Sequence, residues 1–90
     1  MSEDVLTAAD LRKLWHMLGA GPDNPKRNWG YRNHYATSGG ETMQALRRME
    51  GLGLVVVGHR SGSMTFFHAT EAGCREAGLD AKQIKRALEN

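Results

Sequence analysis

Apolar residues recur at helical spacing from the start of the chain: Ala8, Leu11, Leu14, Trp15 and Leu18 share one stripe, with Arg12, Lys13 and His16 opposite. Thr7 and Asp10 have capping-box spacing, and Gly19, Gly21 and Pro22 stop the helix. A second stripe, Met43, Ala45, Leu46 and Met49, marks a helix over residues 41–50. Glu41, Gln44, Arg47 and Arg48 lie on its other side. Ser38 and Glu41 have the spacing of its capping box, and Gly51 and Gly53 end it.

The period then changes. LVVVGH and MTFFHA read as two strands around the turn Arg60-Ser-Gly-Ser63, where Gly62 supplies the positive φ of a tight reversal. A symmetric turn pairs Val57 with Phe66 and Val55 with His68. One face then carries Val55, Val57, His59, Met64, Phe66 and His68, and the other Leu54, Val56, Thr65, Phe67 and Ala69. Both faces are apolar, so the second needs a cover, either the aromatic segment of residues 29–35 or another chain. Thr70 caps a short helix (Glu71–Ala77), and Asp80 with Gln83 caps a last one (Ala81–Glu89) whose buried stripe is Ala81, Ile84 and Leu88.

Between these elements, residues 19–28 are turn chemistry and hold both prolines. NWGYRNHYATSGG is the least legible stretch: Trp29, Tyr31 and Tyr35 lie beside Lys26, Arg27, Arg32 and His34. Two readings stand, a helical turn over Tyr31–Ala36 completing a helix-turn-helix, or an ordered loop pinned by its aromatics.

The pattern predicts one α+β domain over residues 1–90, with 1–6 a flexible N-terminus: winged helix-turn-helix-like, three to five helices, and a two-stranded β-hairpin wing. The longest apolar run, Leu54 to Val57, is too short to span a membrane, and the acidic start lacks the layout of a signal peptide. With a single cysteine, Cys74, and so no internal disulfide, the expected compartment is the cytoplasm. The net charge of +2 is unevenly spread: residues 1–10 carry −3, 11–60 carry +5 and the rest balance. A basic middle can meet phosphate, though this one is modest.

The run ETMQALRRMEGLGLVVV…FFHATEAGCREAGL resembles MarR- and PadR-like winged helices. In those a recognition helix steps through Leu-Gly-Leu into the wing, here Leu52-Gly53-Leu54, and a Thr-Glu-x-Gly helix start follows, here Thr70-Glu71-Ala72-Gly73. With its Tyr31-Arg32-Asn33-His34 segment, the chain also looks like a group of small phage and prophage proteins. The latter resemblance implies a viral or integrated-viral origin, and a winged-helix scaffold usually binds and rarely catalyses.

Two roles are expected. In the first, double-stranded DNA is read by Gln44, Arg47 and Arg48, with Arg60 of the wing tip near the backbone and Arg32 in the same positive strip, in a possible homodimer. Two departures stand against it, a recognition helix that begins Gly39-Gly40-Glu41 and a wing tip with a single base. In the second, a phage or host protein docks on Tyr31, Tyr35, Val55, Val57 and Phe66 during assembly or host takeover. No catalytic constellation and no cofactor motif stands out, and an enzyme is not expected. His16, His34, His59, His68 and Cys74 are separated by 18, 25, 9 and 6 positions, which matches no usual metal-ligand spacing.

Overall fold

The computed structural model describes residues 6–90. The expected flexible stretch 1–6 therefore lies outside the description except for Leu6, which packs half-buried against the core. The described chain runs α1 (Ala8–Leu18), a 3₁₀ turn (Lys26–Asn28), β1 (Tyr35–Thr37), α2 (Gly40–Gly51), β2 (Val55–Ser61), β3 (Met64–Ala69), α3 (Glu71–Glu76) and α4 (Ala81–Leu88). It is an α+β domain of four α-helices and one antiparallel sheet of order β1-β3-β2.

The caps set three of the helix starts. Thr7 and Asp10 form the reciprocal box on α1, Thr70 accepts from the Gly73 N–H, and Asp80 and Gln83 form the box on α4. The box expected from Ser38 and Glu41 does not form. Here β1 runs as far as Thr37, which lies opposite Thr65, and the chain then reverses through Gly39 (φ 144°) and Gly40 (φ 75°). The helix consequently begins one residue later than the box requires, and the Thr37 hydroxyl accepts the Gly39 N–H instead.

The helical turn expected over Tyr31–Ala36 is likewise replaced, by β1 pairing Tyr35 with Phe67, Ala36 with Phe66 and Thr37 with Thr65. The hairpin wing thereby becomes part of a three-stranded sheet. Its register also differs from the symmetric one. Val57 pairs with Phe67, Val56 with His68 and Val55 with Ala69. Towards the tip, Arg60 pairs with Thr65 and Ser61 with Met64, so Gly58 and His59 bulge opposite Phe66. The reversal closes over Gly62 and Ser63, with Gly62 at φ 60°.

This slip exchanges the two phenylalanines. Phe67 is fully buried with Val55 and Ala69, while Phe66 faces outward beside Val56 and His68. The core joins Leu14, Met17 and Leu18 of α1, Leu46 and Met49 of α2, and Val55 and Phe67 of the sheet, closed by Cys74, Ala77, Leu79, Ile84 and Ala87. On α4 the buried residues are Gln83, Ile84 and Ala87; of the expected stripe only Ile84 is buried, Ala81 is exposed and Leu88 is left 49% exposed. A buried glutamine is tolerated because both polar atoms of its amide have partners: Oε1 accepts the Asp80 N–H and Nε2 donates to the Lys26 carbonyl.

Candidate nucleic-acid interface

Residues 29–34, illegible in the sequence, prove to be a staple for the C-terminal end of α1. The last carbonyls of a helix have no partner within it. Here the Leu18 carbonyl accepts the Gly30 N–H (2.9 Å) and the Met17 carbonyl accepts the His34 N–H (3.1 Å). The Arg32 guanidinium donates to the His16 carbonyl, through Nε at 2.9 Å and also through Nη2. Asn33 is buried and uses its whole amide: Oδ1 accepts the Ala69 N–H (2.7 Å), and Nδ2 donates to the Ala69 (3.1 Å) and Ala87 (3.3 Å) carbonyls. The Trp29 indole is also buried and donates to the Asn24 carbonyl. Of the ordered-loop alternative, then, residues 29–34 hold, and the remainder becomes β1.

The proposed DNA-reading residues meet different fates. Gln44 and Arg60 are exposed, Gln44 on the outward side of α2 and Arg60 near the hairpin tip. Arg47 and Arg48 are also on the surface, but each is paired. Arg47 Nη1 donates to Glu50 at 3.1 Å, and its guanidinium lies 5.7 Å from the centre of the Phe67 ring, which it covers. Arg48 pairs with the carboxylate of Asp10, a residue only 3% exposed whose oxygen also accepts the Thr7 N–H. Arg32 belongs to the α1 staple rather than to a groove-facing strip. With Glu41 in the first turn of α2, the three arginines on α2 and the hairpin face three carboxylates, and the net charge there is zero.

The residues proposed for a protein partner separate in the same way. Val55 is fully buried and Val57 is packed half-buried against the core, so neither forms an open surface. Tyr35 packs on the core and meets the His16 ring edge-on at 4.9 Å. Tyr31 remains 52% exposed. Phe66 does sit on the outer face of the sheet, stacked on His59 (4.4 Å between ring centres, 9° between planes) with His34 on its flank at 6.4 Å. Imidazoles from the β2 bulge and the staple thus supply part of the cover that the hairpin's second face needs. Val56, 47% exposed, is the most open apolar residue of that face.

Burial sets the two perturbed acid–base groups. The His16 imidazole is held below its ordinary value, mainly by desolvation and secondarily by the Arg32 and His34 charges. Its protonation therefore favours the unfolded chain, and this contribution to stability is lost as pH falls below about 6.5 towards the lowered folded value. Burial, with a smaller contribution from Glu71, pushes the Cys74 thiol up to about 11. A thiol so protected is expected to resist iodoacetamide at pH 8 in the folded protein and to react readily once denatured, as mass spectrometry of the alkylated chain would record. Rapid alkylation of the native protein would contradict the buried placement.

Among the described residues no group of three His, Cys, Asp or Glu side chains is placed to hold a metal ion, and no helix is long and apolar enough to cross a membrane. Compared with models of known families, with curated proteins and with solved structures, the chain matches none.

Proposed function

We propose that this protein is a non-enzymatic, winged-helix-like module that binds double-stranded DNA. The observation carrying the reading is the path from β1 through α2 to the bulged β2–β3 hairpin, in a sheet of order β1-β3-β2. That path presents one helix with an exposed polar face beside a projecting hairpin, an arrangement suited to a major groove and its flanking backbone. A single helix separates β1 from β2, so α2 acts without the preceding partner helix of a full helix-turn-helix. Pairing does not exhaust the arginines: a guanidinium has five N–H donors, and Arg47 spends one of its nitrogens on Glu50. Gln44 can read an adenine edge and Arg60 can meet phosphate.

The test is binding to a mixed-sequence duplex as salt is raised, with Arg60→Glu and Gln44→Ala as variants. Neither side chain makes a hydrogen bond within the described fold, whereas Arg48→Glu would set a carboxylate against Asp10 and confuse folding with binding. Affinity is expected to fall steeply with salt, and Arg60→Glu to lower it several-fold and flatten the dependence by about one unit of log–log slope. Binding indifferent to salt would overturn the reading.

One observation favours a second reading, a phage-type module that docks on another protein. The outer face of the sheet carries Val56, Phe66 and Met64, all at least partly open. Self-association or partner capture that Phe66→Asp abolishes, with helix content unchanged, would support it over DNA.

A further inference from the structure

Folding gathers a cationic surface that no stretch of the sequence displays. The 3₁₀ turn Lys26–Asn28 is laid against α4 and fixed there by four contacts. Gln83 Nε2 donates to the Lys26 carbonyl at 2.6 Å, and Arg86 Nη1 donates to the Arg27 carbonyl at 2.9 Å. Asn90 Nδ2 donates to the Gly30 carbonyl at 3.1 Å. Gly30 itself passes so close to the Gln83 carbonyl that a Cβ there would collide with it. The turn thus brings exposed Lys26 and Arg27 alongside α4, whose wet side carries Lys82, Lys85 and Arg86. Lys82 and Arg86 are one helical turn apart on the side nearer the 3₁₀ turn.

Five cations therefore share one ridge with two carboxylates, Asp80 and Glu89. None of the five is in an ion pair among the described residues, whose three pairs are Arg47–Glu50, Arg48–Asp10 and Arg75–Glu71. The contrast with the α2–hairpin surface is quantitative: +3 here against zero there. Counterion release scales with the number of phosphates neutralised, so the ridge has the greater capacity for a polyanion. Its charges also ride on two elements tied to each other, which lowers the entropy lost on ordering them.

We propose that the ridge of the 3₁₀ turn and α4 is a phosphate-backbone contact surface for nucleic acid, distinct from the α2–hairpin face. The ligand class rests on the nucleic-acid reading above, but the site does not depend on α2. A lipid bilayer is the less suitable polyanion. The apolar side of α4 is spent inward, with Ile84 9% and Ala87 0% exposed, and the Trp29 indole under the ridge is buried. Of the large apolar residues of α4 only Leu88, 49% exposed, is left open, too little to insert beside the charges. The Lys26 ammonium stands over the Trp29 ring instead, 5.5 Å from its centre.

The experiment compares the full chain with Arg27→Glu/Lys82→Glu and with Arg60→Glu, measuring fluorescence anisotropy with a labelled mixed-sequence duplex and with its single strand. Neither Arg27 nor Lys82 uses its side chain in a hydrogen bond of the described fold, and circular dichroism verifies that the double variant folds. The double variant is expected to lose at least tenfold in affinity at low salt and to lower the log–log salt slope by about two. Unchanged duplex and single-strand binding by this variant overturns the inference. If Arg60→Glu alone weakens binding in that case, the α2–hairpin reading survives. No binding of either nucleic acid by the unaltered chain overturns both. Tighter binding to phosphatidylserine vesicles than to either nucleic acid overturns this one in favour of a membrane surface.

Discussion

Phe67→Ala is expected to destabilise the domain by about 3–5 kcal/mol, while Phe66→Ala costs about 1 kcal/mol. The two residues are neighbours of identical chemistry, and the strand register with its β2 bulge separates them. Phe67 is fully buried, pairs with both Val57 and Tyr35, and has Arg47 over its ring. Removing its ring empties the centre of the core and uncovers the guanidinium that closes it. Phe66 lies outside the sheet against His59 and His34, where water replaces much of what is lost. For a domain of this size the first substitution consumes a large share of the total stability and lowers Tm by roughly 15 °C or more. Thermal melts followed by circular dichroism would measure both variants side by side. The opposite ranking would mean that the hairpin adopts the symmetric register with Phe66 inside.

Asn33→Ala is expected to cost about 2–4 kcal/mol, although it deletes a residue with no apolar area to bury. Among the described residues its amide is the one hydrogen-bonded link between the end of β3 and the last turn of α4, through both backbone groups of Ala69 and the Ala87 carbonyl. Without it the Ala69 N–H is left in a buried place, which costs more than a hydrogen bond contributes when made. Asn33→Asp is nearly isosteric but keeps only the acceptor, so it cannot donate to either carbonyl, and it adds a buried charge. It is expected to be at least as damaging as alanine. Urea titrations would give both values, and hydrogen exchange at Ala69 would locate the loss. Full stability in either variant would remove Asn33 from its role as a clamp.

The Tyr31-Arg32-Asn33-His34 segment is accordingly a structural device in this domain. Arg32 and the His34 backbone close the end of α1, Asn33 joins β3 to α4, and the Tyr31 ring lies over Gly19, where any Cβ would strike it. Basic and aromatic residues in such a stretch suggest contact with nucleotides when read singly. In the fold, Arg32 and the Trp29 indole are spent on main-chain carbonyls.

The sequence by itself determined the local elements. The helix positions, the Thr7, Thr70 and Asp80 caps, and the reversal at Gly62 depend on residues within a few positions of one another, and such signals survive without tertiary context. Only the tertiary structure decided what depends on distant partners. β1 exists because Tyr35–Thr37 finds a free edge on β3, and three residues have too little pattern to announce a strand. The bulge at Gly58 and His59 moves Phe67 inward through one added residue, which alternation cannot register. Arg48 looked free on a helix face until Asp10, 38 positions away, was folded against it. The basic ridge arises likewise from Lys26 and Arg27 meeting Lys82 and Arg86 across more than half the chain, because charge acts through space and a sequence records only order along the backbone.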